Sequence, residues 1–126
     1  MKILVLILLL LSITTQASGA EIERIYRVEA TAYAPHSEKA IKGMCHDGDP
    51  TTTFTGTYPT PGRTIAVDPE IIPLGSKVII DGHIYYAEDI GGLIKGHKID
   101  ITMKTKEEAM RWGRRDVVVI VKYDMF

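Results

Sequence analysis

Asp81-Gly82 separates two runs of strand-forming residues, 77–80 and 83–89, and no other feature of the chain narrows its fold as much. A two-residue hairpin turn demands positive φ, which glycine adopts freely and aspartate tolerates. The flanking runs are therefore expected to pair antiparallel. Other segments rich in β-branched and aromatic residues then read as strands at 25–34, 64–68, 99–103 and 117–123. The last is apolar almost throughout, the pattern of a strand buried on both faces. Thr105 followed three residues later by Glu108 forms a capping box, and Gly113 stands where a left-handed residue ends a helix. Six strands with one brief helix favour a small closed barrel, because closure removes the unpaired edges of short strands.

The 126 residues allow one compact domain. Met1-Lys2, an apolar run over 3–11 and the small residues Ser18-Gly19-Ala20 have the layout of a secretory signal peptide. The run falls well short of the roughly 20 apolar residues that span a bilayer. Residues 1–20 are thus expected to be a leader and 21–126 the working domain, secreted or held in the cell envelope, with no membrane span in the mature form. Fifteen basic and sixteen acidic residues leave a net charge of −1, which gives no footprint for nucleic acid or an anionic membrane. Cys45 is the single cysteine, so no internal disulfide forms.

Three aspartates keep apolar company. Asp68 ends Ile65-Ala66-Val67, Asp89 precedes Ile90-Gly91-Gly92, and Asp100 lies between Ile99 and Ile101, where a strand alternates faces. A carboxyl group with little water around it raises its pKa or finds partners. A raised pKa is what a general acid needs near neutral pH. Placement alone favours a turn, cap or solvated-face aspartate. Gly91 and Gly92 sharpen the functional reading, since glycines after a strand-end carboxylate permit a tight turn and close ligand approach. The loop through Lys95, Gly96 and Lys98 then connects Asp89 to Asp100 around one cavity. The long segment 35–62 is a candidate cleft wall.

Thr64-Ile65-Ala66-Val67-Asp68-Pro69, ending at Ile72-Pro73-Leu74-Gly75, resembles the first signature of the three-aspartate (3D) domain family. The stretch from Ala87 to Asp100, with Asp89, Gly91-Gly92, Ile94-Lys95-Gly96 and Ile99-Asp100, resembles its second. Glu108-Ala109, Trp112-Gly113, Thr31-Ala32-Tyr33 and Thr53-Phe54-Thr55-Gly56 are similar to further family motifs. The resemblance implies a mainly β fold, a six-stranded double-psi β-barrel with one short helix. It also implies a peptidoglycan lytic transglycosylase that cleaves the MurNAc-β-1,4-GlcNAc bond and leaves a 1,6-anhydro-MurNAc end, with no cofactor. Asp100 maps onto the catalytic acid, and Asp68, Asp89, Gly91, Gly92, Lys95, Thr55, Gly56 and Tyr33 onto supporting or sugar-binding positions. The chain departs from the family in having one loop cysteine, and in Glu88 and Ile90 beside Asp89.

The alternative is a non-catalytic module that binds cell-wall carbohydrate. A calcium site built from Asp47, Asp49 and the motif aspartates is a third reading, although the spacing fits no standard loop. His36, His46, His83 and His97 lack metal-binding spacing. Trp112 is expected in the core, while Tyr33, Phe54 and Tyr58 are candidates for stacking on sugar rings.

Overall fold

The computed structural model describes residues 19–36 and 50–125. Cys45, His46, Asp47, Asp49 and all of the expected leader except its last two residues lie outside them. The elements run β1 (Glu21–Tyr33), β2 (Thr64–Val67), β3 (Lys77–Ile80), β4 (His83–Asp89), β5 (Lys98–Thr102), α1 (Lys106–Trp112) and β6 (Arg115–Asp124). The strands close into a barrel in the order β1-β5-β2-β4-β3-β6, with β1 paired to both β5 and β6. Two pairs, β1 with β5 and β2 with β4, are parallel, and the other four are antiparallel. Each strand thus has a neighbour on both sides, although β1 meets β5 only from Glu29 to Tyr33 and its first half pairs with β6 alone. The expected six-stranded barrel with one short helix is therefore the observed fold.

The hairpin forms as its Asp-Gly pair dictates. Asp81 has φ 48° and Gly82 φ 78°, and Ile80 lies opposite His83. The barrel interior is filled by alternate residues of each strand, among them Val28, Ala30, Ile65, Val67, Val78, Ala87, Ile99, Ile101, Val119 and Val121. Each fully buried valine or isoleucine contributes about 1.5–3 kcal/mol relative to exposure. A strand in a closed wall has one inner and one outer face, which corrects the expectation for residues 117–123. Val119 and Val121 are sealed inside, whereas Val118 is 57% exposed. The strand is buried on one face only.

Helix α1 is capped by Thr105, whose hydroxyl accepts the N–H of Glu108 at 3.1 Å. The Glu108 carboxylate accepts the N–H of Lys104 at 3.3 Å, so the reciprocal half of the box closes one residue earlier than its usual form. Gly113 ends the helix at φ 65°. Trp112 packs against the core and donates its indole N–H to the Ala30 carbonyl at 3.2 Å, which ties the helix to β1.

Candidate functional site

The outer face of the wall carries the chemistry. Residues directly opposite on neighbouring strands share a face, and the register places Asp89 of β4 beside Ala66 of β2, Ala66 beside Asp100 of β5, and Asp100 beside Thr31 of β1. One row thus crosses four strands as Asp89, Ala66, Asp100, Thr31. Ala66 is the small member between the carboxylates, so no bulky side chain stands between them. Two strand spacings separate the Asp89 and Asp100 backbones, about 10 Å.

Asp89 reaches this face because β4 is irregular. Ile65 pairs with Ala87 but Ala66 pairs with Asp89, so Glu88 is an extra residue and the register shifts. Without that bulge, strict alternation from the inward Ala87 would turn Asp89 into the hydrophobic core. Glu88 is buried and fully engaged. Its carboxylate accepts from the Arg63 guanidinium at 2.6 Å, the Thr57 hydroxyl at 2.6 Å and the Thr64 hydroxyl at 3.2 Å. Its carbonyl accepts the Thr55 N–H at 3.1 Å. These bonds pin the turn 53–57 against β4, and from that turn Phe54 donates its N–H to Asp89 at 3.1 Å. Asp89 also accepts the Ile90 N–H at 2.9 Å and, at the outer limit of hydrogen bonding, the Tyr33 hydroxyl at 3.5 Å. Asp89 is wholly buried. It supports the site from beneath rather than meeting solvent.

Asp100 stands differently. It lines a cavity of about 330 Å³ together with Glu29, Thr31, Leu93, Ile94, Lys98 and Arg114. Burial raises its carboxyl to about 6 from an ordinary 3.8. The Thr31 hydroxyl donates to Asp100 at 3.0 Å and opposes that rise, while the Asp89 charge adds to it. Lost hydration is thus the main cause, and like-charge repulsion the lesser one. A carboxyl poised near 6 beside open space can donate a proton close to neutral pH.

Asp68 follows β2 and is nearly covered. Its carboxylate accepts the N–H groups of Gly96 at 2.7 Å and Glu70 at 3.0 Å. Those two bonds, Gly96 first, hold its pKa below the ordinary value, and Lys95 adds to the effect. Asp68 therefore clasps the loop that leads into β5. Lys95 acts on Asp68 and does not line the Asp100 cavity. Gly91 is required by packing, since a Cβ there would lie 2.9 Å from the Ile94 side chain, whereas Gly92 has open space around it. Thr55 and Gly56 form the exposed turn against Glu88, with Gly56 at φ 87°. Tyr33 is buried, so it is no stacking platform. Phe54 and Tyr58 are exposed, and Tyr58 stacks on His36 at 4.4 Å. Among the described residues no three metal-ligating side chains converge.

Sequence reasoning missed Glu29, Thr31 as a partner of Asp100, Ala66, Glu88 as an anchor, and Arg114. The alternation Glu29-x-Thr31 and Lys98-x-Asp100 was the available signal for the cavity floor.

Comparison with known proteins agrees with this fold. The model of the 3D domain family matches residues 63–122, from the start of β2 almost to the end of β6. The cell wall-binding protein YocH of Bacillus subtilis (strain 168) is 37% identical over 112 residues, 87% of this chain and 37% of its own. The putative cell wall shaping protein YabE of the same organism is 50% identical over 58 residues, 45% of this chain and 14% of its own. The solved lytic transglycosylase LtgG of Burkholderia pseudomallei shares 25% identity at a TM-score of 0.51, covering 60% of this chain and 27% of that one. The chain spans less than half the length of each of these proteins.

Proposed function

We propose that this chain acts on the bacterial cell wall as a peptidoglycan lytic transglycosylase, with Asp100 as its proton-transfer group. The observation that carries this reading is a single raised carboxyl in a cavity, aligned through Ala66 with a buried carboxylate. The likeness to LtgG supports it. Protonated Asp100 gives its proton to the glycosidic oxygen, and the bond from that oxygen to C1 of the muramyl residue breaks. The muramyl C6 oxygen bonds to C1, and its proton passes to the Asp100 carboxylate. The products are a free 4-hydroxyl and a 1,6-anhydro end, with no water consumed and the acid restored. One carboxyl suffices, where an ordinary glycosidase uses two. Asp89 fixes the turn beside the site, and Asp68 holds the loop that delivers β5. The leader at residues 1–20 would place the domain in the cell envelope or outside the cell.

The name of YocH favours a second reading, a module that holds cell wall without cutting it. Digestion of purified peptidoglycan by the protein and by Asp100→Asn, followed by mass analysis, separates the two. Anhydro-muramyl ends from the unmodified protein alone are expected. Reducing ends would mean hydrolysis, and retention without cleavage would mean binding only.

A further inference from the structure

We propose that Lys98 and Arg114 form a carboxylate-binding subsite beside Asp100 that selects acidic glycan strands over neutral ones. The inference deepens the function proposed above and rests on it for the kind of polymer involved. Glu29 and Lys98 occupy the rung next to Thr31 and Asp100 on the β1–β5 seam, two residues back along each strand. Arg114 reaches the same place from the segment between α1 and β6, where its Nη1 lies 3.3 Å from Glu29. All of them line the Asp100 cavity.

The charge balance at that rung is positive. Glu29 offers one carboxylate against the two cations of that rung. Lys98 has no carboxylate partner among the ion pairs of the described residues. Arg114 touches Glu29 through one nitrogen only, which leaves the other guanidinium donors free for a planar oxyanion. Its side chain is 70% exposed, so an incoming ligand finds it without rearrangement of the barrel.

Lys98 stands one rung along the seam from Asp100, and Arg114 is held at that same rung by Glu29. The positive charge therefore lies to one side of the reacting group, where a substituent near the scissile bond would rest. Leu93, 87% exposed, and Ile94 give the same cavity an apolar wall against which a small carbon skeleton can pack. A carboxylate borne on a short ether branch of one sugar matches that pairing of charge and apolar surface. A neutral chitin-type strand has nothing to offer it.

Binding is the direct test, measured by calorimetry on the full chain carrying Asp100→Asn, so that no turnover intrudes. Three strands of equal length serve as probes: chitohexaose, peptide-free alternating MurNAc–GlcNAc, and the same polymer bearing stem peptides. The peptide-free strand is expected to bind at least tenfold more tightly than chitohexaose, with a preference that shrinks as salt is raised. Adding Lys98→Gln and Arg114→Gln should erase the preference, with at least a tenfold larger loss on the acidic strand than on chitohexaose. Both side chains are exposed, and circular dichroism verifies that the variant is folded. A preference confined to the peptide-bearing strand would place the recognised carboxylate on the peptide instead of the sugar branch. Equal affinity for acidic and neutral strands, equal loss on both in the variant, or no binding to either overturns the proposal. Absence of anhydro ends from the unmodified protein, with the preference intact, would instead refute the transglycosylase and leave the subsite standing.

Discussion

Asp100 should destabilise the protein that carries it, and the size of that cost follows from its surroundings. The folded state holds its proton up to about 6, against an ordinary 3.8 in the unfolded chain. Between those values the folded form binds more protons than the unfolded form, so stability falls as pH rises through the window and then levels off. At ~1.36 kcal/mol per pH unit the gap amounts to about 3 kcal/mol above pH 7. Asp100 keeps some solvent contact, and water in the cavity lowers the realised cost to about 1–3 kcal/mol. Asn at this position is never charged and still accepts from Thr31, which now donates at 3.0 Å. The stability difference between Asp100→Asn and the unmodified protein should therefore be near zero at pH 3.5 and grow to its full value by pH 7.5. Urea titrations of both proteins across that range read it, and titrating groups that do not interact with Asp100 cancel in the difference. A midpoint shift of about 1 M at pH 7.5 is expected, with m near 1–3 kcal/mol per M. A difference that does not change with pH would refute the reasoning, because a lost or gained contact acts at every pH. The same variant should be inactive on glycan, so the site trades stability for chemistry.

Thr31→Val removes the hydroxyl that favours charged Asp100 and should push the alkaline limb of the pH–activity profile upward from its midpoint near 6; an unmoved or lowered limb contradicts the assignment. Asp89→Ala removes the carboxylate that accepts the part-buried N–H groups of Phe54 and Ile90 and should cost on the order of 1–3 kcal/mol, to be read as a fall in melting temperature together with loss of activity. Asp68 has a folded pKa below 3.8, so the stability it supplies is present above that value and lost as pH falls through the folded pKa; Asp68→Asn should flatten this acid limb in the same urea titrations. Gly91→Ala would drive its methyl to 2.9 Å from Ile94 and should weaken glycan cleavage through the displaced Leu93–Ile94 wall, while Gly92→Ala, with open space around it, should not.

The strands were legible because each carries a local signal. Asp81-Gly82 fixed one hairpin, and β-branched runs marked the remaining strands to within a few residues. The beginning of β1 was less legible, since Glu21–Arg24 is polar and becomes strand only by pairing with Tyr123, Lys122 and their neighbours a hundred residues away. The site was half legible for the same reason. Asp100 betrayed itself by standing between two isoleucines. Nothing near Glu88 announces a bulge, because the shift arises where β2 and β4 meet and depends on partners at Thr57, Arg63 and Thr64. Tyr33 read as a sugar platform because aromatic residues near loops often are; its burial on the seam of β1 and β5 is a fact of closure.

The division of labour among the three aspartates follows from where each one meets its strand. A residue at a strand end can turn its carboxylate toward backbone N–H groups that the ladder has released, whereas inside a strand those groups are already spent on neighbours. Asp68, just past β2, collects two of them from Gly96 and Glu70, and Asp89, the last residue of β4, collects two from Ile90 and Phe54. Asp100 is the middle residue of β5, and the hydroxyl of Thr31 donates to its carboxyl group. Backbone donors favour the charged carboxylate, and burial without them favours the protonated form. The barrel thus makes two anchors and one carboxyl biased toward its protonated form from a single residue type by position alone. Moving the acid by one residue along β5 would turn it into the core, which is why the isoleucines on either side of Asp100 matter as much as the aspartate itself.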